Sequence, residues 1–157
     1  MKKATASVLL ILIAWFSWPL WTALQIRDAV LSGDTAVLER KVDWPEVRAS
    51  LKQSLPVYLA GQGIIGQALT ALFGTTVVDT IVDSYVSPSG LVHLMASPEQ
   101  RENLAARNLR WAFFKSPLCF EMIMRPPKYP DTRIINQYEL RGFEWKLISV
   151  RIVTLSP

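Results

Sequence analysis

Twenty-three consecutive residues, Ala4 to Ile26, carry no charge and lie between Lys3 and Arg27. At about 1.5 Å per residue they reach about 34 Å, enough for a bilayer core of about 30 Å. The pattern predicts an N-terminal transmembrane helix over residues 1–26, with membrane lipids as partners through residues 4–26. Apolar residues at Ala23, Ile26, Val30 and Leu31 then keep helical spacing, so the helix continues outward. Ser32-Gly33-Asp34 ends it: Gly33 suits the left-handed position after a helix, and Asp34 caps the next one. That helix, Thr35 to Val42, buries Val37, Leu38 and Val42. A third opens at Asp43-Trp44-Pro45-Glu46, where Asp43 caps and Glu46 is expected to complete a capping box. Val47, Leu51 and Leu55 form its apolar face.

The middle of the chain is uncharged from Gln53 to Val78 but broken by Gln53, Pro56, Gly61, Gln62, Gly63, Gly66, Gln67 and Gly74. Polar groups are costly inside a membrane, so buried or interfacial helices are expected instead of a second span. Thr76 to Val86 reads as an amphipathic helix with Val77, Val78, Ile81, Val82 and Tyr85 on one face. Asp79 and Asp83 lie opposite. Ser87-Pro88 starts a short helix with Leu91, Leu94 and Met95, and Ser97-Pro98-Glu99-Gln100 carries another capping signature.

From Leu109 the period changes to alternation. Arg110–Phe114, Cys119–Met124, Arg133–Arg141 and Glu144–Thr154 read as strands, separated by turn residues. In the last, Trp145, Leu147, Ser149, Arg151 and Val153 are expected to share a face. The short connections give a C-terminal four-stranded antiparallel sheet with helices packed on one face. The predicted fold class is α+β: a membrane helix, a helical block, then the sheet. Residues 27–157 form one domain, with helices over 27–104 and the sheet over 109–155.

Two readings of the apolar start compete. Its basic, apolar and polar parts have the shape of a secretory signal. Cleavage after Ala23 puts bulky Trp21 at −3, however, which favours an uncleaved anchor. Lys2 and Lys3 set the orientation, because positive charge beside a span stays cytoplasmic. The expected location is therefore a bacterial inner membrane, single-pass, with a periplasmic C-terminal domain. Trp18 and Trp21 suit the outer interfacial belt. Trp15 lies deeper, facing lipid or another helix.

Charge changes the picture modestly. Arg27 to Gln100 holds five Lys/Arg against eight Asp/Glu, whereas Arg101 to Pro157 holds ten against five. The basic C-terminal part suits a solvated sheet surface, with anionic headgroups or an acidic partner as the alternative. No basic run suggests nucleic acid. Cys119 is the sole cysteine, so no intrachain disulfide forms, and it is expected to be a structural thiol.

Candidate chemistry is sparse. Gly61-Gln62-Gly63-Ile64-Ile65-Gly66 spells G-x-G-x-x-G, but nucleotide binding needs a βαβ unit in a parallel sheet, and the later strands look antiparallel. His93 is the only histidine, and with Asp79 and Asp83 it makes the only candidate metal set, short of a usual zinc site. No Gly-x-Ser-x-Gly turn is present. Glu139 and Glu144 flank a hairpin turn as solvated charges. The sheet aromatics Trp111, Phe113, Phe114, Phe120, Tyr138, Phe143 and Trp145 are mostly core, and a concave apolar pocket among them would suit a lipid or peptide. No catalytic residue, metal or cofactor is expected.

Arg27-Asp28-Ala29-Val30, Ser32-Gly33-Asp34 and Val42-Asp43-Trp44-Pro45-Glu46-Val47-Arg48-Ala49-Ser50-Leu51-Lys52 resemble the N-terminal signature of a bacterial envelope family, domain of unknown function 2939. Glu144-Trp145-Lys146-Leu147-Ile148 resembles the strand on which that family closes. The resemblance rests on residues 22–55 and 108–157. It implies an apolar start, a helical block and a β-rich end, and brings no catalytic residues. The combined expectation is a non-enzymatic membrane protein whose domain binds a partner protein. The alternative is a binding module for a lipid or other apolar ligand.

Overall fold

The computed structural model describes residues 2–60, 76, 78–98, 101 and 108–154. The G-x-G-x-x-G stretch lies outside them. Helices come first: α1 (Lys2–Ser32), α2 (Thr35–Lys41), α3 (Trp44–Ala60), α4 (residues 78–85) and α5 (Pro88–Leu94). Strands β1 (Leu109–Ser116), β2 (Cys119–Met124), β3 (Thr132–Arg141) and β4 (Glu144–Thr154) follow. They form one antiparallel meander in the order β1-β2-β3-β4. The fold is α+β.

Local chemistry sets most boundaries. Gly33 takes φ +77°, and the Asp34 carboxylate accepts the Val37 N–H at 3.1 Å, so a left-handed stop feeds a capped start. Ser87 caps α5 by accepting the Gly90 N–H at 3.1 Å. Asp43 accepts the Glu46 N–H at 3.4 Å, but the capping box is not completed. The Asp43 N–H donates instead to the Leu147 carbonyl at 2.9 Å, and Glu46 turns to Arg141.

The core lies between the helices and one face of the sheet. Ile26, Ala29 and Val30 of α1, Leu38 of α2, Val42 and Val47 meet Phe120, Met122, Tyr138, Trp145 and Leu147. In α4 the buried positions are Val78 and Val82, while Ile81 and Tyr85 are half exposed. The predicted face is therefore rotated toward the i, i+4 pair that meets its neighbours.

The β4 alternation also differs from expectation. Tyr138 pairs with Leu147 but Gln137 with Ser149, so Ile148 is an extra residue. A bulge of this kind exchanges the two faces beyond it. Trp145 and Leu147 face the helices, then Val150 takes over. The β4 edge is covered by backbone and hydroxyl contacts. Val42 bridges Leu147 in parallel, and the Ser50 hydroxyl accepts the Val150 N–H at 3.0 Å. Covering an edge in this way removes a template for strand addition.

Among the described residues, no helix is long and apolar enough to cross a membrane; the side chains of residues 2–6 and 8–12, in the first half of the expected 1–26 span, lie outside them. From Trp15 onward one side of α1 belongs to the domain, with Pro19 and Thr22 almost wholly buried.

Candidate functional site

The buried stripe of α1 runs through Pro19, Thr22, Ile26, Ala29 and Val30, a spacing that keeps one helix face on the domain. Trp15 continues it. Its ring meets Trp145 edge-on at 6.5 Å and Trp18 at 6.3 Å. Phe16 meets Phe114 at 4.9 Å, and Phe114 in turn meets Phe120 at 5.0 Å and Trp145 at 5.8 Å. Such edge-to-face pairs set the positive ring edge against the negative ring face. Trp145 is wholly buried, yet its Nε1–H has no hydrogen-bond acceptor. Shape, not polarity, holds it there.

The other side of α1 is apolar and open. Ile13, Phe16, Trp18, Leu20, Trp21 and Leu24 are all exposed. Of the residues singled out in the sequence, Trp15 points into the domain, while Trp18 and Trp21 lie on its surface. Lys2 and Lys3 lie in the first turn of α1, far along the helix from this junction.

Two hairpin turns add to the apolar surface. Leu118, in the β1–β2 turn, is exposed, and Phe143, in the β3–β4 turn, is 90% exposed. Gly142 takes φ +64°, which lets a two-residue turn close and leaves Phe143 at its tip. The Leu140 N–H donates to the Leu118 carbonyl at 2.9 Å, so both turns lie at one end of the sheet. Phe114 and Trp145, which receive α1, are within three residues of those turns. The exposed aromatic stripe and the apolar turns therefore occupy the same end of the molecule.

Near that end Arg141 ties the layers together. Its guanidinium donates to Asp43 at 2.7 Å, to both oxygens of Glu46 at 2.8 and 2.9 Å, and to Glu139 at 2.7 Å. The Glu46 and Glu139 hydrogen bonds hold the guanidinium charged well above its usual range. Sequence spacing carries no sign of this cluster, because Asp43 and Glu46 lie 98 and 95 residues from Arg141. Glu139 thus serves an ion-pair network, and Glu144 accepts from Lys41 at 3.4 Å.

The remaining candidates are not brought together. Asp83 pairs with Lys52 at 2.7 Å, and His93 is exposed on α5. Among the described residues, no three or more His, Cys, Asp or Glu side chains converge as metal ligands would. Cys119 is half-buried, with the Gln137 amide 3.3 Å from its sulfur. Among the described residues the helix side of the sheet is packed at its centre, where Leu38 and Trp145 have no exposure.

A recess opens on the opposite face, where no described helix packs, with a volume of about 370 Å³. Arg110, Trp111, Ile123, Arg125 and Arg133 line it.

The whole is an α+β domain with an apolar N-terminal helix built into its core. The family described as "Protein of unknown function (DUF2939)" matches residues 8–94, more than half of the chain, and the chain belongs to it. That match takes in the helical signature at residues 27–52 and stops before the sheet. No curated protein matches the sequence.

Proposed function

We propose that this protein is a non-catalytic, membrane-attached module that binds a partner protein at the bilayer surface. One observation carries the reading: α1 is locked into the core on one side and offers Ile13, Phe16, Leu20, Trp21 and Leu24 on the other. Contiguous exposed apolar surface of this kind marks contact with a membrane or a partner. Leu118 and Phe143 extend it at the same end, and the apolar residues from Ala4 precede it. Tryptophan at an apolar–aqueous boundary suits the headgroup layer.

The test is photo-crosslinking from position 21 and position 143 of the full chain in native membranes. The expected result is lipid adducts at both positions and one protein adduct of constant size. A chain that leaves the membrane fraction on salt washing and yields no protein adduct would refute the proposal.

A second reading is favoured by the unbroken charge-free run from Ala4 to Ile26. If that whole run crosses an inner membrane, Lys2 and Lys3 stay cytoplasmic and the domain is periplasmic. The Trp15–Trp145 and Phe16–Phe114 contacts then have to open. Cysteines at positions 16 and 114, with Cys119→Ser, distinguish the two: a short crosslinker joins them in membranes only when α1 stays docked.

A further inference from the structure

The recess on the sheet face away from the described helices is made by a fault in strand pairing. Leu109 pairs with Met124 and Trp111 with Ile123, so Arg110 is an extra residue in β1. A β-bulge re-aims side chains, and here Arg110 and Trp111 both line the space beside Ile123. Arg125 follows β2, and Arg133 comes from the facing position of β3.

Among the described residues, no carboxylate pairs with the charges of this recess, and the Arg125 Nε is buried without an acceptor. Elsewhere on the sheet the arrangement differs. Arg141 has three carboxylates, and buried Glu121 is taken by Lys115 at 3.5 Å and Arg151 at 3.3 Å. Three cations lining one recess repel one another, and an anion bound among them relieves that repulsion. Arginine forks suit two oxygens of one phosphate at once. Trp111 is 70% exposed and presents a flat apolar face beside them.

We infer that this recess binds a phosphate-bearing organic anion. Arg110, Arg125 and Arg133 take the phosphate oxygens, and Trp111 and Ile123 contact the organic part. The volume falls within the usual range for small-molecule pockets, about 300–1,000 Å³. The phosphate can come from an anionic lipid headgroup or from a soluble phosphate ester. The site stands apart from the apolar end of the molecule and does not depend on the proposed membrane attachment.

The test uses the full chain in non-ionic detergent with its six tryptophans replaced by 5-fluorotryptophan. Trp111→Phe assigns the relevant fluorine NMR signal. Titration uses glycerol 3-phosphate, dihexanoyl phosphatidylglycerol, net-neutral dihexanoyl phosphatidylcholine and polyglutamate. The expected result is a saturable shift of the Trp111 signal with one or both phosphate anions and none with phosphatidylcholine. A response to both supports a soluble ester as sufficient; a response to phosphatidylglycerol alone supports a headgroup. The double variant Arg110→Gln/Arg133→Gln should weaken binding at least about tenfold, as expected for losing two charge-assisted contacts. The other five signals report whether that variant keeps its fold, and Arg133→Lys serves as the milder second variant, with an intermediate loss. A shift with polyglutamate alone would assign the recess to an acidic protein and overturn the inference. So would an absent shift, or a double variant that responds like the unaltered chain.

Discussion

The edge of one indole and the face of another, Trp15 in α1 and Trp145 in β4, meet with ring centroids 6.5 Å apart and planes at 72°. The two residues are far apart in sequence, and their contact joins the apolar N-terminal helix to the last hairpin. Trp145→Ala is expected to cost about 3–5 kcal/mol, as for other buried aromatics. Trp145→Phe should cost much less than that, since the lost Nε1–H has no acceptor to leave unpaired. A double-mutant cycle with Trp15→Ala should give a coupling of about 0.5–1.5 kcal/mol by urea denaturation. Strict additivity would show that the rings do not interact.

Arg141 bridges the start of α3 to the end of β3, and its bidentate contact with Glu46 is geometrically demanding. Its side chain is 36% exposed, so solvent screens the pairs. Arg141→Gln is expected to cost about 1–2 kcal/mol, with most of the loss disappearing in high salt. Arg141→Lys should recover only part, because a lysine cannot reproduce the fork. Chemical denaturation of the three proteins at low and high salt checks this.

Ser50 closes the β4 edge. Its hydroxyl accepts the Val150 N–H at 3.0 Å and lies 3.1 Å from the Val150 carbonyl and 2.9 Å from the Val47 carbonyl. Ser50→Ala should cost about 1–2 kcal/mol, because half-buried strand groups lose their partner. Amide exchange at Val150 should rise more than at Phe120. Equal rises at both would mean a global loss of stability.

Burial pushes the Tyr138 phenol well above its ordinary value of 10.0. Above that value the unfolded chain loses a proton that the folded chain keeps. Stability is therefore fully present below about pH 10 and falls as pH rises further. Thermal melts between pH 8 and 11 should show this fall, reduced in Tyr138→Phe. An unchanged slope in that variant would assign the alkaline loss to other groups.

Local chemistry alone determined much of this protein. Gly33 and Asp34 mark one helix boundary because a left-handed glycine and a short acceptor side chain act within a few residues. Ser87 marks another in the same way. The strands of the meander follow from alternation and turn residues, and the family signature at residues 27–52 is continuous in sequence. Tertiary structure decided the rest, because the deciding forces act between residues remote along the chain. Glu46 completes a capping box on paper, but Arg141 offers a charged fork that a neighbouring N–H cannot match. The faces of β4 exchange at Ile148 because pairing with β3 requires an extra residue that periodicity does not reveal. The three arginines of the recess come from β1, β3 and the residue after β2, and only the β1 bulge brings Arg110 and Trp111 to Ile123. Above all, the charge-free run from Ala4 to Ile26 reads as a membrane span on length and hydropathy. Packing gives its second half a different neighbour, since Trp15, Pro19 and Thr22 find a complementary sheet and helical block to bury against.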